Sequence, residues 1–102
     1  MAKILFADAA SSDEAGILND LRTKAGLPTA FKFRFLFRDL YDRLATYPES
    51  GARRPALGRN IRIGIVAPYI AIYHLSESGD VVRVLRIVHG RRRVTGALLG
   101  EN

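Results

Sequence analysis

The sequence predicts an α+β fold in which an N-terminal strand and a helical hairpin pack on a small antiparallel sheet, in the order β-α-α-β-β-β. Apolar residues recur every three or four positions as far as Tyr47, which is typical of helices, and at every second position from Ile61, which is typical of strands. Residues 48–51 and 76–80 are rich in turn formers and separate these segments. With 102 residues, the chain is expected to form a single domain over 1–102.

The first strand and the first helix are predicted from the opening quarter of the chain. Residues 3–7 form a short apolar run that indicates a strand. Ser11 and Glu14 have the spacing of a capping box, in which each side chain binds a backbone N–H at the start of a helix. Apolar residues then follow at helical spacing, namely Ile17, Leu18, Leu21 and Ala25. A helix is therefore expected over about residues 12–25, and it ends at Gly26, which can adopt the left-handed cap conformation.

The second helix is predicted over residues 28–47, where Pro28 suits the first turn. The segment 31–37 alternates like a strand, but the apolar pattern continues beyond it at helical spacing. The continuing stripe consists of Phe33, Leu36, Phe37, Leu40, Leu44 and Tyr47. Phe31 and Phe35 fall off this stripe. Either they pack against the first helix, which is the more common arrangement, or they remain exposed as an apolar patch for a protein partner.

A change of hydrophobic period marks the second half of the chain. After an Arg-, Pro- and Gly-rich loop over 52–60, strands are predicted at 61–66 and 69–75. One face of the first of these strands is formed by Ile61, Ile63 and Ile65. Residues 81–88 are apolar at nearly every position, which indicates a central strand covered on both faces. Residues 94–102 are expected to form a flexible tail.

The charge of the chain predicts an anionic partner. Its 16 Lys and Arg against 10 Asp and Glu give a formal net charge of +6. Thirteen of these cations are arginine, whose planar guanidinium binds phosphate and carboxylate groups through paired hydrogen bonds.

Several classes of protein are excluded or made improbable by the composition. The absence of cysteine excludes disulfides and thiolate metal sites. With His74 and His89 as the only histidines, no metal site is expected, and no glycine-rich phosphate loop points to a nucleotide, so no cofactor is expected. The N-terminus lacks the apolar region of a signal peptide, and no apolar run approaches the roughly 20 residues that span a bilayer. The chain is therefore expected to be cytoplasmic, without a membrane partner.

Two groups of cationic residues are the candidate functional residues. One surrounds the end of the last strand and consists of Arg86, His89, Arg91, Arg92 and Arg93. The other precedes and opens the second strand and consists of Arg53, Arg54, Arg59 and Arg62. Either group alone is typical of a solvated strand end. If the short connections place both on one surface, they favour a binding site for phosphates or for an acidic protein segment.

Three side chains near these groups have both a chemical and a structural interpretation. His89 could act as general acid or base in phosphodiester cleavage, with an arginine stabilising the developing charge, or it could be a hydrogen-bonded structural residue. Tyr69 and Tyr73 share one strand face, where they either stack on nucleic-acid bases or pack in the interior.

Five segments of the chain carry a resemblance to a known family. They are LATYPESG at 44–51, ALG at 56–58, the strand-opening Arg62, YIAIY at 69–73 and VLRIVHGRR at 84–92. In this order they resemble the RelE/ParE superfamily of type II toxin-antitoxin toxins, which includes plasmid stabilization proteins. In that family a helical hairpin precedes a loop ending in LG, an arginine-containing strand, a YxIxY strand and a final strand closing on HGxR. The resemblance covers about residues 13–93.

The resemblance implies a RelE/ParE-like fold and a toxin that an acidic, partly disordered cognate antitoxin holds inactive. RelE-like members cleave mRNA on the ribosome, and ParE-like members inhibit DNA gyrase without a nuclease site. RelE-like cleavage draws on a lysine and arginine set with a C-terminal tyrosine. Here the lysines lie in the N-terminal third, and no tyrosine follows Tyr73. The chain is therefore closer to the ParE-like branch, with gyrase as the expected target and growth arrest as the result.

Each of these functions assigns different residues. For a ParE-like toxin, the residues expected to bind target or antitoxin are Arg53, Arg54, Arg59, Tyr69, Tyr73, Arg92, Arg93, Phe31 and Phe35. For the alternative, a ribosome-dependent or free mRNA endonuclease, the catalytic residues would be His89, Arg62, Arg86 and Arg91. A third alternative is a non-toxic binding module derived from the family. The expected assemblies are a homodimer or a hetero-oligomer with the antitoxin.

Overall fold

The computed structural model describes residues 1–92 and 94–100. Its elements follow the predicted order, with a two-residue strand, a 3-10 turn and a short third helix added. They are β1 (Lys3–Phe6), α1 (Asp8–Ala25), α2 (Leu27–Thr46), β2 (Ala52–Arg53), the 3-10 turn (Pro55–Leu57), β3 (Ile61–Val66), β4 (Tyr69–Leu75), β5 (Val81–His89) and α3 (Gly96–Gly100). The predicted α+β fold is confirmed.

The five strands form one sheet in the order β1-β5-β4-β3-β2. Strands β3 to β5 pair antiparallel, as predicted, and the additional strand β2 also pairs antiparallel with β3. In contrast, β1 lies parallel to β5, with Lys3 opposite Val81, so the complete sheet is mixed. Parallel pairing requires a long connection, which the helical hairpin and the three intervening strands supply. Because β5 lies between two strands, its position agrees with its nearly continuous apolar sequence.

Helix α1 begins four residues before the predicted start, and the predicted capping box is not formed. The helix starts at Asp8, its N-cap is Ala7, and no side chain caps it. The N–H of Ala7 donates to the carbonyl oxygen of Val84 at 2.9 Å, so the sheet holds the chain up to the residue where the helix begins. Ser11 and Glu14 therefore lie inside the helix, and the Glu14 carboxylate accepts a hydrogen bond from the Tyr41 hydroxyl instead.

Helix α2 lies within one residue of its predicted bounds and packs on the sheet. Gly26, with φ of 96°, separates the two helices of the hairpin. Phe37, Leu40 and Leu44 are buried along the inner face of α2, as their spacing predicts. A Cβ atom on Gly64 of β3 would lie 2.8 Å from Leu40, so the glycine permits the close approach of helix and strand. No helix in the described part of the chain is long and apolar enough to span a membrane.

The sheet has a buried cluster on each face. The helix side is filled by residues that include Phe37, Leu40, Leu44, Ala71, Tyr73, Val82, Val84 and Ile87. The opposite face, called here the outer face, carries a smaller cluster of Ile61, Ile63, Ile72, Val88 and Leu98. Successive residues of a strand point to opposite faces, which explains why Ile72 and Tyr73 belong to different clusters. Ile65 shares the parity of Ile61 and Ile63, but at the strand end it is 61% exposed.

The C-terminal segment contributes to the outer cluster. Where the sequence predicts a flexible tail, the structure places α3, and Leu98 is buried against the outer face. Val94 and Leu99 pack on the same cluster, together with Leu57 of the 3-10 turn. Burial of these apolar side chains provides the physical reason for an ordered segment at this position. Residues 101–102 lie outside the described part of the chain.

Candidate interaction surfaces

Arg86 forms the most buried ion pair of the described residues. Its Nε donates to one carboxylate oxygen of Asp13 at 2.7 Å, and its Nη2 donates to the other at 3.1 Å. The two side chains are only 13% and 18% exposed, and the Asp13 carboxylate also accepts the N–H of Ile87 at 2.9 Å. Arg86 thus ties β5 to α1. Asp13 was missed by sequence reasoning because it is 73 positions away in the chain.

Arg62 and Tyr73 hold the loop that follows α2. Arg62 Nη1 donates to the carbonyl oxygens of Glu49 at 2.8 Å and Gly51 at 2.9 Å. The Tyr73 hydroxyl donates to the Pro48 carbonyl at 2.8 Å and accepts the Gly51 N–H at 3.1 Å. Tyr73 is fully buried, so the expectation that it could stack on bases is wrong. Its burial raises the pKa of the hydroxyl, against smaller opposing effects of Gly51 and Arg62.

His89 and Tyr69 form a pair at the other end of the sheet. They lie opposite each other on β5 and β4, with their ring centroids 5.9 Å apart and the rings nearly perpendicular. The exposed His89 accepts the N–H of Arg91 at Nδ1, at 3.0 Å. Tyr69 is half-buried and packs edge-on against Phe33 of α2. Tyr69 therefore contributes to the helix-side packing rather than to a free stacking platform.

The residues proposed for RNA cleavage do not converge on one point. Arg62 lies opposite Tyr73, and His89 lies opposite Tyr69, four positions along β4. At about 3.3 Å per residue, this offset separates them by about 13 Å along the strand. The guanidinium of Arg86 is held by α1, and that of Arg62 by the loop carbonyls.

One groove on the outer face brings the two predicted arginine groups together. Arg54 comes from the group before β3, and Arg92 from the group after β5. This groove, called the arginine groove, has a volume of about 250 Å³, and its lining includes Arg54, Leu57, Ile63, Ile70, Arg92 and Val94. Both arginines are exposed. Neither forms an ion pair within residues 1–92 and 94–100.

Arg53, Arg59 and Arg91 are not among the lining residues of this groove. Arg53 and Arg59 line a separate depression of about 500 Å³ beside β2. Arg59 also pairs with Glu77 at 2.9 Å, and the exposure of both side chains makes this a weak contact. Arg91 is exposed next to His89. Arg93 lies outside the described residues.

Phe31 and Phe35 are exposed on the outward side of α2, at 60% and 69%. The more common arrangement, packing against α1, is therefore wrong. Phe35 precedes the buried Phe37 by two positions, or about 200° around the helix, so it points away from the sheet. Leu27 lies one helical turn before Phe31 on the same side of α2 and is 52% exposed. The sequence analysis did not single it out, although it precedes Phe31 by the same four residues that separate Phe31 from Phe35. These three residues form the aromatic face.

Comparison with known proteins identifies the family. A family model described as the ParE toxin of the type II toxin-antitoxin system, parDE, matches residues 4–94. The chain belongs to the ParE toxin family. The resemblance found in the sequence is thereby confirmed. No curated protein matches the chain.

Solved structures share the fold of this ParE-family chain. The chromosomal ParDE toxin-antitoxin system from P. aeruginosa contains a chain with a TM-score of 0.71 and 21% identity, over 87% of this chain and 96% of that one. The toxin-antitoxin complex RelBE2 from Mycobacterium tuberculosis contains one with a TM-score of 0.52 and 22% identity, over 86% and 96%. At these identities the likeness establishes the fold.

The net charge of this ParE-family chain lies outside the helical hairpin. Residues 8–46 of the hairpin contain six acids: Asp8, Asp13, Glu14, Asp20, Asp39 and Asp42. They contain six cations: Arg22, Lys24, Lys32, Arg34, Arg38 and Arg43. The whole formal charge of +6 therefore belongs to the rest of the chain. None of the five strands contains Asp or Glu. Among the described residues, no group of His, Asp and Glu is placed to hold a metal ion.

Proposed function

We propose that this toxin arrests growth by binding DNA gyrase in the cytoplasm, without cleaving nucleic acid, and that an acidic, partly disordered cognate antitoxin neutralises it in a hetero-oligomer. Membership of the ParE family supports the toxin role. The main support for binding without cleavage is that the residues predicted for RNA cleavage do not lie together. Arg86 is paired with Asp13, and Arg62 lies about 13 Å along the sheet from His89.

The aromatic face is the surface that suits a large protein target. Aromatic side chains dominate the binding energy of protein interfaces, whereas exposed aromatic pairs contribute little to the stability of the free protein. Between Leu27 and Arg38 the helix carries Lys32, Arg34 and Arg38 but no acid. A target surface with apolar pockets and acidic margins is therefore complementary to this part of α2.

A supercoiling assay tests the proposal. Purified toxin at micromolar concentration is expected to inhibit ATP-dependent supercoiling of relaxed plasmid by gyrase. The double variant Phe31→Ser, Phe35→Ser is expected to lose this inhibition, because it removes the apolar contacts and leaves the fold intact. Ile65→Ser is the matched control, since Ile65 is equally exposed at 61% but lies on β3. No inhibition by the wild-type toxin would overturn the gyrase target.

A second measurement separates binding from cleavage. Primer extension on cellular mRNA after induction of the toxin is expected to show no new 5′ ends. Cleavage that disappears in a His89→Ala variant would establish the endonuclease alternative instead. Induction without growth arrest would indicate the non-toxic binding module.

A further inference from the structure

Strand β1 lies at one end of the sheet, and no strand of the described residues pairs with its outward side. The N–H of Lys3 donates to a carbonyl oxygen on the β5 side at 2.8 Å, and the N–H of Ala7 does so at 2.9 Å. Alternate residues of a strand direct their backbone groups to the same side, so those of Ile4 and Phe6 point away from the sheet. These two donors and two acceptors form an open edge at which another strand can pair.

Apolar side chains flank this open edge on both faces of the sheet. Phe6 is 40% exposed and packs edge-on against Tyr41 on the helix side. Leu5 is 36% exposed and points to the outer face, because successive residues of a strand alternate. A depression of about 340 Å³ lies beside Phe6 and is also lined by Ala15 and Leu18 of α1. Edge strands that stay unpaired are usually protected by charges, prolines or bulges, whereas this edge exposes two large apolar side chains.

A second copy of β1 pairs with this edge in one antiparallel register. When Leu5 lies opposite Leu5 of the second copy, Ile4 lies opposite Phe6 of that copy, and Phe6 lies opposite its Ile4. The outward-pointing residues then exchange four hydrogen bonds about a two-fold axis. With Ile4 opposite itself, Phe6 would lie opposite Ala2, whose N–H already donates to a carbonyl oxygen of α2 at 2.8 Å. With Phe6 opposite itself, Ile4 would lie opposite Asp8, where α1 begins.

The register centred on Leu5 also matches the apolar side chains. Opposite side chains of an antiparallel pair point to the same face, with Cβ atoms about 4.5–5.5 Å apart. Leu5 therefore contacts its counterpart on the outer face. On the helix side Ile4 contacts Phe6 of the second copy, beside the depression at α1.

The ends of this pairing are complementary in charge. Lys3 lies opposite Ala7 of the second copy, so its long side chain can reach the adjacent Asp8 of that copy. Both side chains are exposed, and neither forms an ion pair within the described residues. The two-fold axis repeats the contact, which places one Lys3–Asp8 pair at each end of the paired strands.

We propose that two copies of this toxin join at the open edge of β1, with Leu5 at the two-fold axis and the two five-stranded sheets merged into one. The inference goes beyond the proposed function and needs neither target nor antitoxin. Each copy contributes only a four-residue strand, so the interface is small and a micromolar dissociation constant is expected. Both helical hairpins lie on one side of the merged sheet. The dimer therefore presents two aromatic faces, which raises the apparent affinity for a target with two equivalent sites.

Disulfide trapping tests the register, because the chain contains no cysteine. At the axis the two Cα atoms of residue 5 lie about 4.5 Å apart, within the range that a disulfide spans. With oxidised glutathione as the oxidant, full-length Leu5→Cys toxin is expected to form a covalent dimer about tenfold faster than Lys3→Cys toxin. Lys3 is the matched control, since it lies on the same strand and face but about 13 Å along the strands from its counterpart.

Sedimentation equilibrium in the micromolar range measures the dimer without a cross-link. Leu5→Lys places two like charges opposite each other and is expected to weaken dimerisation about tenfold, whereas Ile65→Lys on β3 is the control and leaves it unchanged. Lys3→Asp and Asp8→Lys are each expected to weaken the dimer, and their combination to restore its affinity to within about threefold of the wild type. Thermal unfolding checks that all variants remain folded.

The outcomes separate the dimer from other uses of the edge. A wild-type toxin that stays monomeric throughout the micromolar range would overturn the proposal, as would equal cross-linking of Leu5→Cys and Lys3→Cys. A monomeric wild type whose Leu5→Lys variant no longer binds the antitoxin or inhibits gyrase would overturn it too, and would give the edge to a strand of that protein. If the wild-type toxin dimerises as expected but does not inhibit gyrase, the gyrase proposal fails and the dimer stands.

Discussion

Arg62 and Tyr73 lie directly opposite each other on β3 and β4, and both bind the backbone of the loop that follows α2. One supplies a guanidinium from the strand surface, and the other supplies a hydroxyl from the interior. Between them they bind the carbonyls of Pro48, Glu49 and Gly51 and the N–H of Gly51. The loop that connects the helical layer to the sheet is therefore fixed by side chains of the sheet.

Removal of the Tyr73 hydroxyl is expected to destabilise the protein. The variant Tyr73→Phe leaves the Pro48 carbonyl and the Gly51 N–H without their partner, which costs about 1–3 kcal/mol of unfolding free energy. Urea denaturation measures this loss. Tyr69→Phe is the matched control, because the half-buried Tyr69 ring packs without a hydroxyl contact of this kind, and a change within about 0.5 kcal/mol is expected. Equal losses in both variants would contradict the role of the loop contact.

Stability is expected to fall at alkaline pH because the fold holds the buried Tyr73 and the half-buried Tyr41 as neutral phenols. Burial raises the pKa of Tyr73 above its ordinary value of 10.0, and burial together with Glu14 raises the pKa of Tyr41. In the unfolded chain the two tyrosine hydroxyls ionise near pH 10, whereas in the folded chain they stay protonated. Their contribution to the unfolding free energy is therefore complete below pH 10, and it is lost as the pH rises through the raised folded-state pKa values.

Denaturation midpoints measured from pH 8 to 11 check this dependence. The wild-type unfolding free energy is expected to be flat at first and to decline from about pH 10. Tyr41→Phe and Tyr73→Phe should each make the decline shallower. An equally steep decline in the double variant would assign it to other groups.

Loss of the Asp13–Arg86 ion pair is expected to destabilise the protein strongly. Asp13→Asn removes the charge that compensates a mostly buried guanidinium, and it is expected to cost roughly 3 kcal/mol of unfolding free energy. The exposed pair between Asp20 and Lys24 provides the control, since Asp20→Asn should cost less than about 1 kcal/mol. Thermal melts resolve the two, because about 1 kcal/mol corresponds to about 4–8 °C in a domain of this size. Similar melting temperatures for the two variants would contradict the burial argument.

Two glycines are expected to respond to alanine in opposite directions. Gly64→Ala places a Cβ 2.8 Å from a methyl group of the buried Leu40 side chain, which must shift within a packed interior, with an expected cost of about 1–3 kcal/mol. Gly16 lies inside α1 with open space around it, so Gly16→Ala should raise the unfolding free energy by about 0.5–1 kcal/mol. Chemical denaturation of both variants measures the signs. An unchanged unfolding free energy in Gly64→Ala would mean that the Leu40 side chain makes room for the methyl group without cost.

Much of the fold could be predicted because burial imposes a period on the sequence. The stripe through Phe37 and Leu44 placed α2 within one residue, and the alternation from Ile61 placed β3. The start of α1 was misplaced because Ser11 and Glu14 satisfy the capping spacing even inside a helix. The parallel partner of β1 is chosen by tertiary packing, which leaves no local pattern.

The candidate site was harder to predict because charged residues carry no period. Arg86 and Arg62 have the composition of a functional cluster, yet their partners come from distant parts of the chain. Alternation along β4 places Tyr73 on one face of the strand but does not say whether that face is exposed. Only the packing of the helices on the sheet shows that Tyr73 is buried. The convergence of Arg54 and Arg92 was anticipated only as a conditional outcome of short connections, and the described structure supplies the groove itself.

The parallel pairing of Lys3 with Val81 also has a consequence for how the toxin is made. On the ribosome, β1 emerges before β5, the strand beside which it lies, and the helical hairpin and three strands are made between them. Contacts between such distant parts of a chain slow folding, since a long loop must close before they form. A chain released early, before β5, leaves β1 without the strand that it pairs with and Asp13 of α1 without Arg86. The five-stranded sheet therefore closes only after β5 has been synthesised.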